Sequence, residues 1–256
     1  MTKIKIAGLQ LDVEWENRSV NFERVRSFAK RAKDDGVDLL VLPEMFSTGF
    51  SLDPSVTAEA PAGETPRFVS ELARELEIGI VGGYVQRRRD GRGANLAMAV
   101  DRQGRLLAEY AKTHLFSFMD EQQAHEAGAG PRQFAFEGVP IACFICYDLR
   151  FPELFRLVTD SAAVVIVIAS WPAARQVHWD TLLPARAVEN QLYVVGVNRA
   201  GQGGGLEYTG GSVIVDPMGK VLAHGGDQEN LITAEIDPDE VARVRSELPF
   251  LADRRF

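Results

Sequence analysis

Ile141-Ala142-Cys143-Phe144-Ile145-Cys146-Tyr147-Asp148-Leu149-Arg150-Phe151-Pro152-Glu153 changes character at its midpoint. The apolar run Ile141 to Ile145 reads as a buried strand, and the polar turn after it, with Asp148 and Arg150, ends at Pro152, a residue suited to the first position of a helix. Strand, turn, helix is the unit of an α/β fold. Residues just past the carboxyl end of such a strand line the site crevice, because the strand fixes their backbone while the turn frees their side chains. Cys146 stands at that point. Cys143, three residues earlier, points to the opposite face of the strand, so a disulfide between the two needs a break in the strand. Cys143 is expected to be inert filler.

The same rhythm extends in both directions. Downstream, Ala163 to Ala169 and Tyr193 to Val197 read as strands, Val177 to Asn190 as a helix, and Ser212 to Val215 and Lys220 to Ala223 as strands around Asp216-Pro217-Met218-Gly219. Upstream, Lys3 to Leu11 is a strand, and Asn17 to Asp34 carries Val20, Val25, Phe28, Ala29 and Ala32 at helical spacing and ends before Gly36. Val37 to Leu42 is a strand that stops at Pro43. Thr65-Pro66 reads as an N-cap with Pro at the first helical position, opening a helix to Glu77. Ile78 to Tyr84, Ala94 to Asp101 and Leu106 to Tyr110 are strands, the last two around Arg102-Gln103-Gly104. Both halves run strand, helix, strand, helix, strand, strand pair, which predicts a pseudo-symmetric pair of sheets with helices outside. No Ser/Gly linker separates them, so one domain over residues 1–256 is expected. Gly201 to Gly205 is expected to be a mobile loop, and Arg87-Arg88-Arg89, followed by Asp90-Gly91, a solvated turn.

The chain of 256 residues is 46% hydrophobic and 25% charged, the balance of an ordinary globular protein. Its 28 Lys and Arg against 36 Asp and Glu give a net charge of −8, which repels a phosphate backbone or an anionic membrane. Neither nucleic acid nor membrane is an expected partner. His114, His125, His178 and His224 are scattered, and with two Cys they form no pair at metal-ligand spacing. No metal or organic cofactor is expected. The N-terminal stretch has no apolar core of signal-peptide length and no run approaches ~20 apolar residues, so a cytoplasmic location is expected.

Two other positions share the placement of Cys146. Glu44 follows the strand ending at Leu42-Pro43, and Lys112 follows the strand ending at Tyr110. A carboxylate, an ammonium and a thiol so placed can build a hydrolytic centre of base, oxyanion stabiliser and nucleophile. Taken singly, each has a plainer use: Cys146 as a small buried hydrophobe, Glu44 as a helix-start residue, Lys112 as a solvated cation.

Their sequence context resembles the nitrilase superfamily of carbon–nitrogen hydrolases. Leu42-Pro43-Glu44, Lys112-Thr113-His114-Leu115-Phe116 and Cys146-Tyr147-Asp148-Leu149-Arg150-Phe151-Pro152-Glu153 are similar to its three signature segments in order and spacing. Ser170-Trp171-Pro172, His178-Trp179, Ala185-Arg186-Ala187-Val188-Glu189-Asn190 and Gly196-Val197-Asn198-Arg199 resemble the branch of ω-amidases acting on 2-oxo acid amides. The resemblance implies a four-layer α-β-β-α sandwich that pairs into homodimers through outer helices, with Glu44, Lys112 and Cys146 as the catalytic triad and the Tyr147 N–H as second oxyanion donor. It also implies a further glutamate between the lysine and cysteine segments, for which Glu121 is the best match and Glu126 a rival. The expected reaction is hydrolysis of the terminal amide of 2-oxoglutaramate or 2-oxosuccinamate through a thioester, with metabolic but not physical coupling to an aminotransferase.

Such a substrate carries a carboxylate at its far end, and Arg150 and Arg175 are candidates to hold it. Arg150 equally suits bracing its own loop through Asp148 or Glu153, and Arg175 equally suits a solvated position. Trp171, Phe116 and Tyr84 are candidate pocket walls. Other classes fit less well. A silent binding protein on this fold has no need of all three triad residues. Gly201 to Gly205 lacks the Gly-Lys-Ser/Thr of a phosphate loop, and Cys143-Phe144-Ile145-Cys146 has redox spacing but lies in a strand. Aliphatic amidase, carbamoylase and nitrilase activities share the triad and stay open.

Overall fold

The computed structural model describes residues 2–255, so Met1 and Phe256 of the expected 1–256 domain lie outside the described residues. The first half supplies β1 (Ile4–Gln10), α1 (Arg18–Asp34), β2 (Leu39–Val41), the short α2 (Pro54–Thr57) and β3 (Ala58–Glu59), α3 (Glu64–Leu76), β4 (Gly79–Arg87), β5 (Gly93–Val100) and β6 (Leu106–Ala111). A link holding α4 (Glu121–Ala124) leads to β7 (Gln133–Phe136), β8 (Val139–Ile145), a 3-10 turn over Cys146–Arg150, α5 (Pro152–Val158), β9 (Val164–Ala169), α6 (Gln176–Asn190) and β10 (Tyr193–Asn198). The chain continues through β11 (Ala200–Gly203), β12 (Leu206–Thr209), β13 (Val213–Val215), β14 (Val221–His224), β15 (Asn230–Ile236) and α7 (Pro238–Glu247).

Two large sheets form, in the orders β15-β1-β2-β4-β5-β6, with β3 also on β4, and β14-β13-β10-β9-β8-β7, beside the two-stranded β11-β12. β1, β2 and β4 are parallel and β5 and β6 turn back antiparallel, as β8, β9 and β10 are parallel and β13 and β14 turn back. The expected pseudo-symmetry is therefore present, and it extends to an antiparallel edge strand on each first strand, β15 on β1 and β7 on β8. Central parallel strands are covered on both faces, which is why Val164–Ala169 reads as unbroken apolar sequence and is wholly buried.

Alternation assigns the layers. Ile6, Leu39, Val41, Val81, Ala97 and Ala99 of the first sheet share one core with Ile141, Ile166 and Val195 of the second. Their neighbours Ala7, Leu9, Leu40, Leu42 and Ile80 pack instead with Val25 and Ala29 of α1 and Val69 and Leu72 of α3. Helices α5 and α6 cover the second sheet through Phe155, Val158, Leu183 and Ala187. The result is an α-β-β-α sandwich. Among the described residues no helix is long and apolar enough to cross a membrane.

Three local expectations need correction. Helix α3 begins at Glu64 with Gly63 at the cap, not at Thr65-Pro66; the Glu59 carboxylate accepts from the Thr65 N–H at 2.8 Å and from its hydroxyl, so the capping acceptor comes from β3. Gly201 to Gly205 is no free loop but the end of the β11–β12 hairpin, paired from Ala200↔Thr209 to Gly203↔Leu206. Strands β7 and β15 and helix α7 went unanticipated, although Asp237-Pro238 opens α7 with an Asp cap and Pro in the first turn.

Candidate active site

Glu44 follows β2 by way of Leu42-Pro43, where the chain turns across β4. The turn depends on Gly83: a Cβ there would lie 2.7 Å from Glu44 Cα and 2.6 Å from Met45 N, and Met45 itself has φ +48°. The Glu44 carboxylate is fully buried. Its Oε1 accepts from Asn95 Nδ2 at 2.7 Å and Lys112 Nζ at 3.1 Å, and its Oε2 from the Ser170 N–H at 2.8 Å.

Lys112 leaves β6 with its N–H donating to Asn95 O at 2.9 Å, and its side chain is as buried as that of Glu44. The ammonium bridges Glu44 and Glu121, 2.9 Å from Glu121 Oε2, with the Phe50 ring centre 5.1 Å away. Burial opposes its charge, but Glu121 and Glu44 outweigh burial and hold the ammonium more firmly protonated than a free lysine. Burial likewise opposes ionisation of Glu121. The Lys112 charge, the His125 ring and the Phe116 N–H reverse this and hold its pKa at about 2. His125 Nδ1 lies 3.2 Å from Glu121 Oε1 and the Phe116 N–H 2.6 Å from Oε2. Of the two acids foreseen between the signature segments, Glu121 joins this cluster and Glu126 is exposed.

Cys146 opens the 3-10 turn after β8 with φ +48°, a conformation costly for a residue with a Cβ. Asp148, fully buried, holds the turn: it accepts from the Ile145 N–H at 3.1 Å, the Tyr110 hydroxyl at 2.7 Å and the His114 N–H at 2.9 Å. The cysteine turn is thereby tied to the lysine segment. Burial pushes the Cys146 thiol well above its ordinary value, and Glu44 adds to this while Lys112 opposes it. Cys143 is buried in the core, its thiol raised by burial alone.

A narrow cleft opens over Cys146 and Lys112, walled by Phe116, Tyr147, Trp171 and Tyr208. Arg150 and Arg175 line it too. Arg150 does not brace its loop: Asp148 is engaged elsewhere, and the guanidinium lies 4.8 Å over the Trp171 ring with Nη2 3.1 Å from His178 Nδ1. Arg175 sits 5.1 Å over Phe116, and among the described residues neither guanidinium has a carboxylate partner. Tyr84 is no pocket wall, because the outward face of β4 carries it to Glu109, to which its hydroxyl donates at 2.6 Å. Asn95, His125, Ser170 and Tyr208 escaped the sequence reading. Asn95 had no visible signal, since a polar residue inside a strand reads as an outward-facing one.

Residues 5–246 match the carbon-nitrogen hydrolase family. The chain is 37% identical to a 2-oxoglutaramate amidase of Bacillus subtilis over 99% of this chain and 98% of that one. It is 32% identical to an omega-amidase of Escherichia coli, covering 99% and 97% of the two chains. A solved structure from Saccharomyces cerevisiae, a member of branch 10 of the nitrilase superfamily, superposes with a TM-score of 0.90 at 30% identity over 99% of this chain and 97% of that one. With the sandwich and the buried cluster of Glu44, Lys112 and Cys146, these likenesses establish that the chain belongs to the carbon–nitrogen hydrolases of the nitrilase superfamily and is an amide-hydrolysing enzyme.

Proposed function

We propose that the enzyme hydrolyses the terminal amide of a small 2-oxo dicarboxylic acid monoamide, 2-oxoglutaramate or 2-oxosuccinamate, to the acid and ammonia. One observation carries the substrate class: Arg150 and Arg175, two cations without carboxylate partners, share one cleft with Cys146. Burial, and then the charge of Arg175, disfavour the cationic form of Arg150. A substrate carboxylate relieves both costs, and a forked guanidinium matches it. The named activities of the Bacillus and Escherichia relatives point the same way.

The triad roles follow from charge. Glu44 and Glu121 against Lys112 leave one net negative charge beside Cys146, so a resting thiolate is disfavoured and ionisation is coupled to attack. As the Cys146 Sγ–carbon bond forms at the amide carbon, the thiol proton passes to Glu44. The amide oxygen gains negative charge and is met by the Lys112 ammonium and the Tyr147 N–H, each donor worth about 3–4 kcal/mol in related chemistry. The C–N bond then breaks, Glu44 returns the proton to the departing nitrogen, and ammonia leaves a thioester. Water, deprotonated by Glu44, attacks the thioester; the C–S bond breaks, the acid departs and Cys146 regains its proton. Glu121 acts as the auxiliary acid that keeps the ammonium charged and aimed. Two copies pair through α5 and α6, where Leu157, Val177 and Val188 are exposed.

Rates on 2-oxoglutaramate, 2-oxosuccinamate, a simple nitrile and an N-carbamoyl amino acid, with Cys146→Ala beside the wild type, test the proposal. The two 2-oxo amides are expected to be the best substrates and the Ala variant to lose at least ~10³-fold in kcat. Equal turnover by the variant would sink the mechanism, and preference for the nitrile or the carbamoyl compound would sink the substrate class.

A further inference from the structure

We propose that Tyr208 is a specificity determinant that donates its hydroxyl to the 2-oxo oxygen of the substrate, selecting 2-oxo acid amides over the same amides without the oxo group. The inference rests on the substrate reading above. Tyr208 is only 3% exposed and lines the cleft, yet among the described residues its hydroxyl has no hydrogen-bond partner. The hydroxyl is free to donate into the cleft, and a ligand that covers it must supply an acceptor or leave it unpaired at a cost.

What stands behind the ring points the same way. The Arg199 guanidinium lies 4.4 Å from the centre of the Tyr208 ring and is fully buried. Nε donates to Ala200 O at 3.2 Å and Nη2 to Val13 O at 2.8 Å and Gln202 O at 2.9 Å, the Asp12 carboxylate is 4.0 Å off, and Nη1 has no acceptor. Three backbone carbonyls and one distant carboxylate offset the burial of this cation only in part. Stacked on a phenol, it fixes the ring and draws charge from it, which strengthens the O–H as a donor. Burial nevertheless pushes the Tyr208 pKa up to about 12, so the proton to be donated stays in place at neutral pH.

The hairpin that carries Tyr208 is pinned. A Cβ on Gly204 would lie 2.5 Å from Trp15 Cη2, and one on Gly203 would lie 2.7 Å from Arg199 Nη1. Gly203 and Gly204 therefore serve close approach to Trp15 and Arg199, which holds Tyr208 against the cleft. Pairing donors with acceptors completes the assignment. The arginines take the carboxylate and Lys112 with the Tyr147 N–H takes the amide oxygen. Ser170 Oγ is spent on Glu44 O at 3.2 Å and Trp171 Nε1 on Arg175 O at 2.9 Å. The oxo oxygen is the remaining acceptor of the substrate, and the Tyr208 hydroxyl, on a ring fixed by Arg199, is the donor assigned to it.

The test compares kcat/KM of wild type and Tyr208→Phe on 2-oxosuccinamate, succinamate and butyramide. Phe keeps the ring on Arg199, and thermal unfolding checks that the fold is retained. The wild type is expected to prefer 2-oxosuccinamate to succinamate, and the variant to lose about tenfold on 2-oxosuccinamate and less than twofold on succinamate, collapsing that preference. Equal loss on both acids, or no loss on either, overturns the role of Tyr208 while leaving the substrate class standing. A wild type that favours butyramide over both acids overturns the substrate class and this inference with it.

Discussion

Cys146 is surrounded by groups that disagree about its charge: burial and Glu44 hold the proton on, and Lys112 draws it off. The order of these effects gives a signed expectation. In Glu44→Gln the anion is gone and the ammonium stays, so the thiol pKa should fall while amide hydrolysis is lost. The pH dependence of iodoacetamide alkylation reads this directly: its midpoint moves to lower pH in the variant, and an unmoved or higher midpoint contradicts the proposed electrostatic coupling. At this scale the sequence was informative where chemistry follows a strand end. Glu44, Lys112 and Cys146 all do, and the structure gathers them around one cluster. Asn95, which donates to both Glu44 at 2.7 Å and Glu121 at 3.3 Å, could not be found that way, because its function depends on which face of β5 looks inward. Arg150 could not be assigned from spacing either; only the geometry shows Asp148 satisfied by Tyr110, Ile145 and His114 and the guanidinium turned to the cleft.

Elements set how well those residues are aimed. Glu44 is held by the crossing of its turn over β4, where Gly83 N donates to Pro43 O at 3.2 Å and Phe46 N donates to Gly83 O at 3.2 Å. Gly83→Ala would place a methyl against backbone that cannot swing aside, so it should cut kcat at least tenfold with KM little changed, because the base moves and the arginines do not. Steady-state kinetics checks this; a variant with wild-type kcat would mean that the Glu44 turn tolerates displacement. The long apolar or periodic elements, β9, α1 and β1, were legible because burial on one or both faces writes directly into spacing. The β11–β12 hairpin was not. Its glycines carry no side-chain pattern, and Trp15, which packs against them, comes from the far end of the chain.

Across the whole molecule, the alternation of strands and helices predicted two related sheets, and both are present with matching strand directions. The net charge of −8 has acquired no role in the site. The proposed dimer has a surface to use: Leu157 is 68% exposed on α5, and Val177 and Val188 are 74% and 51% exposed on α6. Leu157→Arg should shift the protein from dimer to monomer in sedimentation, and an unchanged dimer would mean that the copies meet elsewhere. The two edge strands reach their sheets by unlike routes. β7 joins β8 across the two-residue turn Glu137-Gly138, both at positive φ, so that edge closes as soon as the hairpin has been made. β15 joins β1 from far along the sequence, with Ile4 opposite Ile236 and Gln10 opposite Asn230. On the ribosome, the outer edge of β1 therefore waits, unpaired, until Asn230–Ile236 has emerged. The nascent first sheet is the part of this protein most exposed to mispairing and most in need of a chaperone.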